Sequence, residues 1–361
     1  MGSYREEIRA IVNRIPRSIV DITIPKERGK APTQAFSEFL TNREQGDWAE
    51  RLIVAAVNQH SEEFVAVQYG KSDECIAGEA GFEAFYEEYQ DELETIGKRP
   101  DLLLFRKPDY QEEWQYNISR YSHEALDKIV SKAVVGIEIR SSSFLLEKYD
   151  AEIRRKQHQY TATVFRLRDT LLQDFGDILS AEWNTLLEGI SASNVDIVSF
   201  RVPSWKANAR LAEASRLLSE MKAAIKGLQK RDFLSFTPKV EDVKVVLKWI
   251  ETYNVPHIYL QVFFDKVYGI SFRSIVEIIA NPDNEETKFF AEGDVKNQNK
   301  IVLKISVKEG VEVAHRVDMP HHASKMKELD RGRLLFHVVF DGGKAYLNPD
   351  AISQLIETRF T

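Results

Sequence analysis

Apolar positions along the chain fall into two rhythms. Short alternating or continuous apolar runs predict strands at FVAVQY (64–69), RPDLLLF (99–105) and VVGIEIRSS (134–142). Helical patterns cover 5–14, 33–60 with a break expected near Gly46, 81–96, and 144–172, where Leu145, Tyr149, Ile153 and Tyr160 lie along one side. Residues 173–232 read as mostly helical, most clearly ANARLAEASRLLSEMKAAIKGLQKR (207–231), which is rich in strong helix formers. A helix at 239–253 runs into VPHIYLQVFFD (255–265), an apolar segment typical of a buried strand. Farther on, KIVLKISV, VEVAHRV and RLLFHVVFDGGKAYL predict strands and a hairpin about Gly342-Gly343, and a short helix follows Pro349.

The order is therefore α/β first, then helices, then a β-rich tail. There is no internal repeat, no low-complexity segment and no flexible linker. At 361 residues, 43% hydrophobic and 29% charged, the chain can bury a sizeable core. The single cysteine, Cys75, rules out an internal disulfide and a cysteine-based zinc site, and fits a reducing, cytoplasmic setting. No apolar run approaches the roughly 20 residues of a membrane span. The charged N-terminus lacks the apolar region of a signal peptide, so none is expected. A net charge of −7 argues against nonspecific coating of nucleic acid, whose affinity comes from phosphate neutralisation. It leaves room for an enzyme that grips DNA in a local basic cleft.

The polar residues inside the apolar runs carry the candidate chemistry. In VVGIEIRSSSF, period two sends Val135, Ile137 and Ile139 to one face, and Val134, Gly136, Glu138 and Arg140 to the other. A strand end that turns polar on one face suits a site in an open α/β sheet. It equally suits a structural ion pair. Asp101 opens the apolar run after Pro100, as a site residue or as an ordinary strand boundary. Glu50 shares a helix side with Ile53, Val54 and Val57, where a buried charge needs a partner or a metal. The alternatives are a salt bridge, or a helix that buries Trp48, Leu52, Ala55 and Ala56 instead. Three acids from one helix and two strands make a plausible cage for Mg²⁺, which takes a few carboxylates plus waters and phosphate oxygens.

Glu50 on a helix, "RPD" on a strand and "EIR" on the next strand together resemble the PD-(D/E)XK nuclease superfamily. The blocks NREQGDWAE, VGIEIRSSSFL, SFTPKVED and YNVPHIYLQVFFDKVYGISF, spanning 42–272, resemble AccI-like type II restriction endonucleases. The resemblance implies an α/β fold: a mixed central β-sheet flanked by helices, with a helical insertion and a β-rich C-terminal region. Residues 1–270 would form the nuclease core with an insertion at about 173–232. Residues 271–361 would serve DNA recognition or dimerisation. Asp101 and Glu138 would bind the metal, and Glu50 would assist or bind a second ion. Arg140 stands where the family usually has lysine. Arginine can hold a phosphate bidentately but is a poor proton acceptor. Lys239 and Lys148 are the candidate substitutes. The interval from Asp101 to Glu138 is wide, with room for an inserted segment.

DNA contacts are expected from Ser141, Ser142 and Ser143, from Arg154 and Arg155 on the next helix, and from Lys206 in WKANAR. HRVDMPHHASKMKELDRGR (315–333) is also basic, with His321-His322 read as loop residues rather than as a metal pair. Walker A, GxGxxG, HExxH and GxSxG patterns are absent, so no nucleotide cofactor is expected. The leading expectation is a Mg²⁺-dependent type II restriction endonuclease. It would be a cytoplasmic homodimer that cuts a short palindromic or near-palindromic site in double-stranded DNA. The competing readings are a repair or junction nuclease of the same fold, and a non-catalytic DNA-binding protein in which the acids are structural.

Overall fold

A computed structural model describes residues 3–24, 27–70, 75–230, 233–294 and 300–357. Pro25 and Lys26 lie outside these. So does Arg231, the last residue of the expected 207–231 helix. The chain divides into a core unit, Met1–Leu146 with Leu234–Thr361, and a helical unit, Glu147–Phe233.

The core unit begins with α1 (Tyr4–Val12), α2 (Ser37–His60), β1 (Phe64–Gln68), α3 (Phe82–Thr95), β2 (Leu102–Arg106), α4 (His123–Val130) and β3 (Val135–Ser141). The helical unit takes α5 (Leu146–Phe175), α6 (Ala181–Glu188) and α7 (Ala209–Gln229). The core resumes with β4 (Ser235–Phe236), α8 (Val240–Tyr253), β5 (His257–Val262), β6 (Val267–Ser271), α9 (Phe272–Ala280), β7 (Phe289–Asp294) and β8 (Lys300–Ser306). It ends with β9 (Val311–Val317), β10 (His321–Glu328), β11 (Leu334–Asp341), β12 (Ala345–Leu347) and α10 (Ala351–Glu357). Among the described residues no helix is long and apolar enough to cross a membrane.

Seven strands form the central sheet in the order β1-β2-β3-β5-β6-β9-β12. Every neighbouring pair is antiparallel except β3 and β5, so the sheet is mixed, as the sequence implied. The alternation in β3 is realised. Val135, Ile137 and Ile139 join Trp48, Ala49, Leu52, Ile53, Ala56 and Val57 of α2, and Ile258, Leu260 and Val262 of β5, in one apolar cluster. Each such aliphatic side chain contributes about 1.5–3 kcal/mol on full burial. The opposite face of β3 lies under α8. A methyl group at Gly136 would come within 2.6 Å of Pro100 and 3.0 Å of the Trp249 indole. The side of the sheet that carries Glu138 is thus closed by a helix, not open to solvent.

The helical unit has its own core. Val164, Leu167 and Leu171 of α5 pack with Leu187 of α6 and with Ala214, Leu218, Met221 and Ile225 of α7. The stripe that matters on α5 therefore lies in its second half, and Leu145 precedes the helix, exposed. Residues 271–361 supply β9 and β12 to the central sheet, β7 and β8 to the three-stranded sheet β4-β8-β7, and the pair β10-β11.

Several local expectations need correction. Helix α2 passes through Gly46 unbroken. A mid-helix glycine costs only ~1 kcal/mol, which burial of Trp48 and Ala49 one turn on outweighs. Gly342-Gly343 does not close a hairpin. Both have positive φ, and they carry the chain from β11, paired with β10, to β12, paired with β9. The hairpin is β10–β11, and His321-His322 open its first strand instead of lying in a loop, opposite Asp341 and Phe340. Strand β6 and helix α9 went unread in the sequence, because an apolar run of that length fits either element.

One glycine positions the site. Gly97 has φ +87, and a methyl group there would land on the Val245 carbonyl and the Trp249 amide of α8. The next amide, Lys98 N–H, donates to Val245 O at 2.9 Å. Gly97→Ala is expected to destabilise the protein by roughly 2–4 kcal/mol, from the left-handed backbone plus overpacking. Urea denaturation measures this directly.

Candidate active site

Glu138 is the centre of the polar face of β3, 1% exposed. A carboxylate this deep is costly unless paired. Two cations meet one of its oxygens: Lys98 Nζ lies 2.5 Å and Arg140 Nη2 2.7 Å from Oε1. Asp242, in the first turn of α8, approaches the same cations, with Oδ2 3.7 Å from Lys98 Nζ and 3.4 Å from Arg140 Nη2. Two acids and two bases thus form a compact network. The other oxygen of Glu138, Oε2, is buried without a hydrogen-bond partner.

Asp101 is fixed beside this network. Its Oδ2 accepts the Ile139 amide at 2.6 Å, tying the residue before β2 to the middle of β3. Its carbonyl accepts the amides of Tyr69 and Gly70, both at 2.9 Å. The Pro-Asp dipeptide is therefore held between the exit of β1 and the centre of β3. Glu50, on α2, feels the charges of Asp101 and Glu138 but is not gathered with them into one site.

The electrostatics divide the acids into two kinds. Burial would push Glu138 up, but Lys98 and Arg140 outweigh it and hold the carboxyl below its usual range. Burial, and then the charge on Glu138, push Asp101 up to about 7. Burial also pushes Glu50 up to about 9, helped by Asp101, Asp47 and Glu138 and opposed by a hydrogen bond from Gln68. Burial would lower Lys98, and Arg140 adds to that, but Asp242 and Glu138 prevail and raise it, so it stays an ammonium. Glu138 above all raises Arg140 further.

Both readings of Arg140 hold geometrically: it pairs with Glu138, and it does so inside a cluster of acids. The lysine at Glu138 is Lys98, which was not among the expected substitutes. Lys239 is the residue before α8, one turn from Asp242, and Lys148 lies on α5 in the helical unit. Lys98 lies forty residues ahead of Glu138 in the sequence, on a segment that the pattern of β3 does not point to. The available signal was GKRPD, a basic pair just ahead of the acid, preceded by a glycine that lets the chain fold back. Asp242 carried no signal of its own beyond its place in SFTPKVED.

The expected DNA contacts separate by unit. Ser141 ends β3, Ser142 is half-buried and donates its amide to Val262 O at 2.9 Å, and Ser143 is exposed. With its amide oxygen turned toward them, the buried Gln45 of α2 accepts from the amides of Ser142 at 3.1 Å and Ser143 at 3.2 Å. Arg154, Arg155 and Lys206 belong to the helical unit, not to the unit that carries the acids. Arg154 and Lys206 are exposed there, and Arg155 pairs with Glu152 at 2.7 Å.

Among the described residues, no group of three or more His, Cys, Asp or Glu side chains is gathered closely enough to hold a metal ion. The expected three-acid cage is thus not assembled in this structure. What stands together is Glu138 with Asp101 beside it. One or two carboxylates are what Mg²⁺ ordinarily takes from a protein. The donor set is hard oxygen, Glu138 Oε2 is unpartnered, and Asp101 and Glu50 are pushed up in pKa by burial and by neighbouring acids. On these grounds the residues fit a Mg²⁺ ion.

The raised acids give a pH signature. Asp101 and Glu50 keep protons in the folded state that the unfolded chain has shed, so stability falls as pH rises from the ordinary carboxyl range toward 7 and then 9. Without divalent cations, Glu50→Gln is expected to flatten that fall and raise the thermal midpoint at pH 8–9. Thermal melts in chelator across pH 5–9 check it.

The family model for the AccI restriction endonuclease matches residues 2–359. No curated protein and no solved structure matches the chain. That match covers both units and every residue of the Lys98–Asp101–Glu138–Arg140–Asp242 group. The chain belongs to the AccI restriction endonuclease family, and its function is that of a restriction-endonuclease-type nuclease.

Proposed function

We propose that the protein is a Mg²⁺-dependent type II endonuclease. It hydrolyses phosphodiesters at a short palindromic or near-palindromic site in double-stranded DNA, and acts as a homodimer. The observation that carries this is the placement of Asp101 beside Glu138, with Lys98 and Arg140 both on one oxygen of Glu138. A two-fold protein suits a two-fold site.

In this reading Asp101 and Glu138 hold the ion, through Glu138 Oε2 among other atoms, with Glu50 as the third acid. A bound Mg²⁺ supplies Lewis-acid stabilisation of the phosphate and acidifies a water. The protein's own groups do the rest. Lys98, kept protonated, donates to a phosphoryl oxygen or to the attacking water and serves as a charge, not as a base. Arg140 is partly exposed, and its guanidinium offers two parallel donors to the scissile phosphate while one nitrogen stays on Glu138. Asp242 keeps both cations from collapsing fully onto Glu138. Hydrolysis adds a water oxygen to phosphorus and breaks one phosphoester bond. The alcoholate released takes up the proton that the attacking water gives up.

This assigns to Lys98 the role that the usual lysine position, here Arg140, leaves open. The reading with purely structural acids explains the Glu138–Arg140 pair but not a second cation on the same oxygen.

With Mg²⁺, plasmid DNA is expected to give discrete fragments with defined ends; cleavage only of branched or damaged DNA would favour a repair nuclease. Glu138→Ala should abolish cleavage and leave DNA binding intact, and full cleavage by it would sink the assignment. Lys98→Ala should slow cleavage by about 10²–10³-fold. Arg140→Lys separates the roles at that position: retained activity means that any cation suffices, and loss means that the planar fork is needed.

A further inference from the structure

Behind Glu138 the sheet holds polar groups that the proposed mechanism leaves unused. In the parallel β3–β5 ladder, Tyr259 lies opposite Glu138 and His257 opposite Gly136, so both side chains share the face of Glu138. Tyr259 is 2% exposed and His257 0%. The Tyr259 hydroxyl, both His257 ring nitrogens and Glu138 Oε2 are all buried without hydrogen-bond partners. The two rings are neighbours, with centroids 5.0 Å apart, and His257 is otherwise boxed by Trp249 at 6.0 Å and Phe272 at 6.2 Å.

Each unsatisfied buried polar group costs about 1–3 kcal/mol. Phenylalanine would fill either position without that cost. Several such groups on one face, ending at the free oxygen of the key carboxylate, call for a shared role. Their chemistry gives a direction. Burial keeps His257 neutral, with one N–H to donate. A tyrosine hydroxyl both accepts and donates, and a carboxylate only accepts.

We propose that Tyr259 is a positioning residue of the nuclease site. Its hydroxyl is linked to Glu138 Oε2, and to His257 behind it, through ordered water, since none of the three is in direct hydrogen-bond contact with another. Lys98 and Arg140 fix Oε1, and the Tyr259–His257 chain fixes the rotation of the carboxylate about it. Oε2 is thereby presented in one orientation to the divalent ion. The inference rests on the nuclease reading above for its consequence in cleavage, but the chain of hydrogen bonds can be tested without it. Partners behind a metal ligand are worth about 10–100-fold in metal affinity or activity.

Tyr259→Phe removes one oxygen and nothing else. Expected are a thermal midpoint equal to or above that of the parent, unchanged affinity for duplex DNA in Ca²⁺, and a 10–100-fold lower kcat in Mg²⁺. Calorimetric titration of the full-length protein with Mn²⁺ alone should show about 10-fold weaker binding. His257→Phe should show the same pattern with smaller losses. A high-resolution structure of the parent should place one ordered water, bonded to Tyr259 Oη, within hydrogen-bond distance of Glu138 Oε2. Parent-like kcat and Mn²⁺ affinity in Tyr259→Phe would overturn the proposal. So would a fall in kcat that merely tracks a fall in thermal midpoint. If the parent binds Mn²⁺ but cleaves no DNA, the nuclease reading fails, and the Mn²⁺ arm still decides on Tyr259.

Discussion

A carboxylate with 1% exposure in the middle of a sheet is the constraint around which this core is arranged. Removing such a charge from water costs several kcal/mol even after relaxation, and only close counter-charges return it. Arg140 comes from the same strand, two residues on. Lys98 comes from a different segment and must be brought in. That requires the left-handed turn at Gly97, a hydrogen bond from Lys98 N–H to Val245 O, and an α8 whose backbone passes too close for any side chain at Gly97. The same helix returns Asp242 to the two cations. A structural ion pair would need none of this apparatus, since Arg140 alone neutralises Glu138.

The arrangement leaves the site electrostatically lopsided. Lys98 and Arg140 hold Glu138 ionised, while burial outweighs their pull on Asp101, whose pKa rises to about 7, and lifts Glu50 to about 9. Positive charge is therefore concentrated on Oε1 of one acid. A divalent cation beside Asp101 and Glu138 Oε2 would correct the imbalance and favour the ionised form of each acid. The metal-free fold thus carries a cost in stability, of the kind that binding sites commonly carry, which ligand binding offsets.

The sheet was legible where period two is strict. In β3 the division between Val135, Ile137 and Ile139 on one face and Glu138 and Arg140 on the other follows from the alternation alone. The α2 pattern was legible in part. Trp48 and Leu52 are buried, Ala55 is exposed, and Ile53 and Val57 are buried too, so Glu50 sits at the margin of a wider apolar stripe than either sequence reading allowed. Lys98, Asp242, Tyr259 and His257 were not legible as a group. They come from three separate segments, and what unites them is the lid that α8 lays across the polar face of the sheet. Nothing in a strand's own pattern says whether its polar side meets water or a helix. The run VPHIYLQVFFD read as simply buried, and its two polar rings passed for ordinary interior residues.

The insertion explains the rest of the mismatch. The chain leaves the core after Leu146 and resumes at Leu234, shortly before Asp242. Both stems are pinned inside the core: Phe264 N–H to Phe144 O at 3.2 Å and Leu146 N–H to Asp265 at 2.8 Å on one side, Val307 N–H to Leu234 O at 3.1 Å on the other. Closing a longer loop between fixed stems adds little entropy cost, since the cost grows only with the logarithm of its length. A whole helical unit can therefore stand between β3 and α8 without disturbing the register that joins Glu138 to Asp242. The same fact breaks the link between nearness in sequence and nearness in the fold. Lys148, Arg154 and Arg155 follow Glu138 closely along the chain, yet they belong to the inserted unit. Lys98, forty residues upstream, touches the carboxylate. A lysine that completes a site of this kind is best sought among the segments that the sheet brings alongside the acidic strand, ahead of those that merely come next.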